Sequence, residues 1–491
     1  MTCGCACTTP SNSLAPKFRR LMRDARVAGV ARHFCVVVFT ALAGCRGHPS
    51  PLSAAGCSST GYNGDVDVAF RAVRERYVYL NEKAVDWDSA ERLTRAGAMT
   101  VHSKRELVGV LERLLDNLYD AHAVLRANTS HSPRLVPSGL DVWAEWREGE
   151  AIVTVVRPGF GAEQQGVRPG MRVLAINGVP IGDAARARLG SAVIFPAPSD
   201  ARAWALVSAL AGRHDTPRVL GVRDEAGETR EMAIDSVSPY LIDRPSKEPH
   251  VEGRSIKAGD TNTRRIADYA YIRLNALDDL NSVPEFDSLL AIFRDAPGLI
   301  LDLRDTPGGG NTSVAEPILG RFITRTQGYQ RVVPRNGPSY TRTVAARGPW
   351  TYSAPLIVLV GRWTGSMGEG MAIGLDGMRR GLVVGTPMAG LAGAVDDITL
   401  PCSGLVIALP TARLLHLDGT PRERWAPPVR IDLVTIERKR ALEAAPSSRQ
   451  GPDEGRDPVL RCAVDILDSL TSRTGRAAKE LAAASRFTCS R

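Results

Sequence analysis

Apolar and polar positions follow three different rhythms along this chain. Between residues 66 and 127 apolar side chains recur at helical spacing, first Val68, Phe70, Val73 and Tyr77, then Leu107, Val110, Leu111, Leu114, Leu115 and Leu118. That period predicts helices, and Ser103 followed by Glu106 supplies a capping box for the second. The stretch closes on Leu118-Tyr119-Asp120-Ala121-His122. The pattern then shortens to strands at 151–156 and 172–176, with a single helical turn at 162–165 between them. Asn177-Gly178 marks a hairpin, 201–212 a helix, and 218–234 a second hairpin around Glu225-Ala226-Gly227. Past a polar, proline-bearing stretch, strands at 268–274, 299–303, 356–360 and 382–384 alternate with helical segments at 288–293, 314–322 and beyond Ser366. Alternation of this kind predicts an α/β core with sequential crossovers. After Arg440 the chain is charged to about Asp457 and then forms one or two amphipathic helices.

At 491 residues the chain exceeds one core and divides into several domains. Its +9 formal charge comes mostly from arginines spread along its length, without a dense basic block interleaved with aromatics. That distribution argues against a nucleic-acid partner. The beginning reads as a targeting segment: basic residues from Lys17 to Arg32, then a ten-residue apolar run ending in Leu42-Ala43-Gly44-Cys45. The run is too short to span a bilayer, and its ending resembles a bacterial lipobox, which makes Cys45 the acylated residue of a membrane-anchored lipoprotein. The expected location is the bacterial cell envelope, facing the periplasm. Export would place Cys57, Cys402, Cys462 and Cys489 in an oxidising compartment, where a Cys462–Cys489 bridge is one option. None has the spacing of a zinc site, and no metal or organic cofactor is implied.

The candidate chemistry centres on residues 355–370, PLIVLVGRWTGSMGEG. A buried strand runs into Gly361, and the turn containing Ser366 opens a small-residue helix. There the unpaired N–H groups of a helix start suit either a helix cap or a nucleophile whose product is an oxyanion. A second glycine-rich turn, Asp305-Thr306-Pro307-Gly308-Gly309-Gly310, follows another buried strand and lacks the Lys-Ser/Thr ending of a phosphate loop. No lysine lies between Lys257 and Lys439, so a local Ser–Lys dyad is excluded. Among the eight histidines, His122 and His416 have surroundings compatible with either a base or a structural role.

Together, LILDLRDTPGGG, the Ser366 stretch and VVGTPMAGLAGAV resemble the carboxyl-terminal processing peptidases over residues 66–433. The resemblance implies Ser366 as nucleophile, with oxyanion donors at the Met367 N–H and at Gly308 or Gly309. Where the processing branch carries a lysine base, this chain has Leu391 or a neighbour. It is therefore more similar to the tricorn-core and interphotoreceptor retinoid-binding branch, in which a histidine in an Asp-x-His context belongs to the helical unit. Asp120-Ala121-His122 fits that context, and Glu423 is the residue matched to the branch's glutamate. Glu369 is expected to stabilise the Ser366 turn. The string AEQQGVRPGMRVLAINGVPI resembles a PDZ domain, and residues 138–142 stand where its carboxylate-binding loop would lie. The organisation expected is a lipoprotein signal peptide over 1–45, a tether over 46–63, a helical unit over 64–130 and a PDZ-like domain over 131–243. A linker over 244–262, an α/β core of ClpP/crotonase-like stacked βα units over 263–440 and a tail with helices over 441–491 complete it. The function implied is an exported serine peptidase acting on extended polypeptide. The alternatives are a non-catalytic protein binding an apolar ligand or peptide on the same fold, and an esterase.

Overall fold

The structure, a computed structural model, describes residues 59–237, 249–258, 267–306, 308, 310–443 and 457–472. The expected leader with Cys45, most of the tether, Gly309, Cys57 and Cys489 lie outside the described residues. The chain opens with three helices, α1 (Ser59–Arg76), α2 (Trp87–Ala98) and α3 (Lys104–Asp116). Residues 59–63, expected in the tether, are thus the first turn of α1. Ser103 caps α3 through the full capping box with Glu106, and Leu107, Leu111 and Leu114 on its inner face are buried. The helical pattern ends at Asp116, earlier than its apolar spacing suggests, because Tyr119 (φ 33°) reverses the chain. A two-residue strand, β1 (Val124–Leu125), follows.

The next unit is β-rich: β2 (Val142–Arg147), β3 (Glu150–Val156), α4 (Gly161–Gln164), β4 (Arg172–Ile176), β5 (Val179–Pro180), α5 (Ile181–Arg186), α6 (Ser199–Ala211), β6 (Val219–Arg223) and β7 (Thr229–Ala233). Its sheet runs β2-β3-β4-β6-β7, with β5 paired to β4 through the Asn177-Gly178 turn. Leu206 and Leu210 of α6 close its core against Val142, Val153 and Leu220.

The core follows in chain order. Its elements are β8 (Val251–Ala258), β9 (Ala267–Leu274), α7 (Ser282–Ile292), β10 (Leu299–Asp302), α8 (Thr312–Leu319), β11 (Gln327–Pro334) and β12 (Tyr340–Val344). Then come β13 (Leu356–Val360), α9 (Met367–Gly377), β14 (Leu382–Gly385), β15 (Ala394–Thr399), β16 (Val406–Leu415), β17 (Val429–Arg430), α10 (Leu433–Glu443) and α11 (Pro458–Ser472). One six-stranded sheet has the order β17-β14-β13-β10-β9-β8, parallel except at β8. Strands buried on both faces need apolar residues at every position, and every residue of β13 is buried. Leu356 and Val358 face α7, α8 and α9, whereas Ile357 and Leu359 face α11. The result is a three-layer α/β core, and α11 belongs to it rather than to a tail. Val251–Ala258 is likewise an edge strand and no linker; its charged side chains read as linker because one side of an edge faces solvent.

A second sheet, absent from the sequence pattern, has the order β1-β16-β11-β12 with β15 on β16. Val124 pairs with Ala408 and Leu125 with Ile407. Ile407 and Leu409 of β16 also pack into the cluster made by α1 and α3. The helical unit is therefore fastened to the core both by a ladder and by apolar contact.

Candidate active site

The Ser366 turn is built from the end of β13. Thr364 donates its hydroxyl to Leu303 O (2.7 Å) and accepts from the Gly361 N–H (3.0 Å). Gly365 N donates to Thr306 O at 2.9 Å. The turn is thereby sewn to the loop after β10, so both loops sit at the carboxyl ends of adjacent parallel strands. Ser366 itself has φ 50° and ψ −109°, a conformation that side-chain-bearing residues rarely adopt. Its N–H is taken by Glu369 at 2.8 Å. Glu369 has no exposure to solvent and also accepts from Gly390 N (2.8 Å) and Leu391 N (3.3 Å). Burial pushes its carboxyl up to about 7, against the pull of Arg422 and these three amides. The turn-stabilising role expected of Glu369 is what this geometry provides.

His122 comes from the other side. Asp120 accepts the His122 N–H (2.8 Å) and the Tyr77 hydroxyl (2.7 Å), which fixes the turn between α3 and β1. The imidazole Nε2 lies 3.1 Å from Ser366 Oγ, and Nδ1 lies 2.8 Å from the Ala392 carbonyl oxygen. A carbonyl only accepts, so the proton resides on Nδ1 and the Nε2 lone pair faces the serine. Burial first, and the nearby Arg422 charge second, lower the imidazole to about 4, which keeps it neutral.

Glu423 does not orient His122. Its carboxylate is turned to the Tyr79 hydroxyl instead, and its charge and hydrogen bond help burial raise that phenol. Glu423 and its neighbour Arg422 both belong to a short 3-10 turn, and it is the arginine that points into the site. Arg422 donates to Ser366 O (3.1 Å), Leu391 O (2.7 Å) and Gly393 O (2.8 Å). Arg422 is not legible in the sequence, because no local pattern shows that a guanidinium next to a carboxylate will meet three carbonyls. His416, the other candidate base, is occupied elsewhere. It sits 3.1 Å from Asp376 and 3.0 Å from Asp418 and stacks on Trp425.

On the oxyanion side, Met367 is the first residue of α9, where a backbone N–H has no intrahelical acceptor. Gly308 has φ 140°, and a Cβ on it would lie 3.7 Å from the Ser366 Cβ, so the glycine loop abuts the serine. At Gly310 a Cβ would stand 1.7 Å from the Met367 Cβ, so only glycine permits that approach. The β-rich unit also borders this corner. Trp363 Nε1 donates to Leu140 O at 2.6 Å, Arg362 pairs with Glu145, and Arg157 pairs with Asp305. The stretch matched to a carboxylate-binding loop is docked on the core instead, with the Gly139 and Leu140 amides bonded to Leu135 O and Pro137 O. Its apolar Leu140 is buried in the cluster of the β-rich unit, which Trp363 of the core joins. Among the described residues no three His, Cys, Asp or Glu side chains converge as a metal site requires. Cys402 and Cys462 are each disulfide-bonded.

Comparison with known proteins gives a consistent picture. Residues 268–431 match the family described as Peptidase family S41. The chain is 23% identical over 422 residues to carboxyl-terminal-processing peptidase 3, chloroplastic, of Arabidopsis thaliana, covering 82% of this chain and 69% of that one. Among solved structures, mature CPAF superposes with a TM-score of 0.53 at 15% identity, over 76% of this chain and 92% of that one. The photosystem II D1 C-terminal processing protease superposes at 0.50 and 18% identity, over 76% and 94%. At such identities the structural likeness speaks for the fold.

Proposed function

We propose, from the premise that this chain is a serine-type peptidase carrying a Peptidase family S41 domain over residues 268–431, that it cleaves extended polypeptide through an acyl-enzyme on Ser366. The observation that carries the reading is the 3.1 Å approach of His122 Nε2 to Ser366 Oγ, with Nδ1 committed to Ala392 O. Oγ attacks the scissile carbonyl while Nε2 takes its proton. The tetrahedral oxyanion is met by the Met367 N–H and by the amide of Gly308 or Gly309, and the imidazolium then protonates the leaving amine. Water reverses the sequence: His122 deprotonates it, the acyl bond breaks, and Ser366 recovers its proton.

Around this chemistry we read the core as ClpP/crotonase-like stacked βα units and the β-rich unit as PDZ-like, positioning the substrate chain. We further read the protein as an exported lipoprotein of a bacterial envelope, anchored through Cys45. The disulfides at Cys402 and Cys462 support an oxidising compartment. Metabolic labelling with a fatty-acid analogue tests the anchor, and a Cys45→Ala chain that still takes up the label would end that part of the reading.

A fluorophosphonate probe with peptide hydrolysis in parallel tests the chemistry. Ser366→Ala should remove labelling and lower turnover by roughly four to six orders of magnitude, while stability changes by less than about 1 kcal/mol. His122→Ala should also abolish labelling. Undiminished hydrolysis by Ser366→Ala would remove Ser366 from the mechanism, and a wild-type chain inert to probe and peptide but retaining an apolar ligand would favour a carrier.

A further inference from the structure

We infer that Arg422 is the positioning residue of this site, aiming His122 through the Ala392 carbonyl in the place where a triad would use a carboxylate. The inference rests on the serine–histidine reading above and deepens it. A catalytic imidazole needs a partner for Nδ1–H that fixes tautomer and ring direction. Here that partner is a backbone oxygen, 2.8 Å away, in a loop that must itself be held.

Two buried side chains hold it from opposite sides. Arg422 Nη2 takes the carbonyls of Leu391 and Gly393, at 2.7 and 2.8 Å, which flank Ala392 on both sides. Glu369 takes the amides of Gly390 and Leu391. The same two side chains grip the nucleophile's own backbone: Glu369 accepts from Ser366 N, and Arg422 Nη1 donates to Ser366 O. Base support and nucleophile are therefore referenced to one pair of groups, whose closest approach is 3.9 Å between Arg422 Nε and Glu369. A planar guanidinium can span three carbonyls at once, whereas a lysine ammonium offers one point of attachment. At 3% exposure the fork has little water competing for it.

The charges around His122 fit the same role. Asp120 lies at its backbone N–H, Arg422 stands beyond the 391–393 loop with Glu369 behind it, and Glu423 is turned to Tyr79. Of these, the Arg422 charge acts with burial to hold the imidazole down at about 4, while Asp120 works against them. A carboxylate at Nδ1 would push the other way.

The test compares the full chain with Arg422→Lys and Arg422→Gln, reading the rate of Ser366 labelling by a fluorophosphonate across pH. Both variants should label roughly 10²-fold more slowly, since a displaced base loses alignment. The acid limb separates aim from mere scaffolding. In Arg422→Gln it should rise above 4, because one of the two lowering influences is gone while burial remains; in Arg422→Lys, which keeps the charge, it should stay near 4. Labelling of Arg422→Gln within about threefold of wild type, or slow labelling with an unmoved limb, overturns the inference. Should both variants fail to fold, nitrogen NMR of wild-type His122 decides. A proton on Nδ1, with Nε2 bare, is expected, and the opposite tautomer overturns it. A wild-type chain that does not label at all sinks the peptidase reading itself, whereas normal wild-type labelling with an unaffected Arg422→Gln sinks only this one.

Discussion

Glu369 and His122 sit in one hydrogen-bonded cluster and carry opposite titration biases. Burial raises Glu369 from 4.5 to about 7, so the folded chain binds its proton where the unfolded chain has released it. Stability from that group is full below 4.5 and is lost as pH rises through about 7, a change on the order of 3 kcal/mol. Burial and Arg422 lower His122 from 6.5 to about 4, so the unfolded chain binds that proton first. Its stability is present above 6.5 and is lost as pH falls through about 4. Between about pH 4.5 and 6.5 the two slopes oppose each other. His122→Gln should remove the rising slope, leaving stability relative to wild type that falls with pH, and Glu369→Gln should do the reverse. Urea midpoints of the three proteins across this window check it; relative slopes of the same sign would refute the assignment of both protonation states.

The loop from Gly390 to Gly393 is the element on which base and nucleophile both depend, and its backbone leaves no slack. Gly393 has φ 62°, and a Cβ there would stand 2.4 Å from Ala412 O. Gly393→Ala must move the loop, and Ala392 O with it. A stability loss of about 1–3 kcal/mol should accompany a fall in Ser366 labelling of roughly tenfold or more. Gly227→Ala, at φ 87° in the open β6–β7 turn, is the control: a cost near 1 kcal/mol with labelling intact. Equal labelling in the two variants would detach the loop from catalysis. Such an element is hard to read in sequence. The parallel strands are legible because β13 and β14 are unbroken apolar runs and β10 is apolar up to Asp302, and the strand-turn-helix at Ser366 announces itself. Asp120-Ala121-His122 was legible only through resemblance, since a histidine after a helix is ordinary. The third member was missed because a backbone carbonyl carries no residue identity, and Arg422 differs from Glu423 in aim, a property that periodicity does not contain. The β1-β16-β11-β12 sheet is not legible because β1 and β11 reach β16 across long stretches of chain.

At the scale of the whole molecule, the parallel sheet has two apolar faces and therefore needs two covers. Helices α7, α8 and α9 supply one; the other comes from α11, which follows the last strand of the sheet. Val459, Leu460, Ala463, Ile466, Leu467 and Leu470 are buried against Tyr269, Ile300, Ile357, Leu359 and Val384. Polar contacts fix its setting: Tyr269 donates to Asp468 Oδ1 (2.7 Å), and Asp457 caps the helix while pairing with Arg304 (2.6 Å) at the start of the glycine loop. Leu467 is fully buried, and a Cβ on Gly298 would come within 2.8 Å of it. Leu467→Ala would open a cavity at that contact and should cost about 2–5 kcal/mol of global stability. The site lies at the strand ends and not under α11, so the labelling rate of the folded protein should stay near wild type. Chemical denaturation with labelling in parallel measures both quantities. A loss under about 1 kcal/mol would mean that the helix rests on the sheet without sealing it, whereas a lost labelling rate with stability retained would mean that α11 acts on the glycine loop through Asp457 and Arg304.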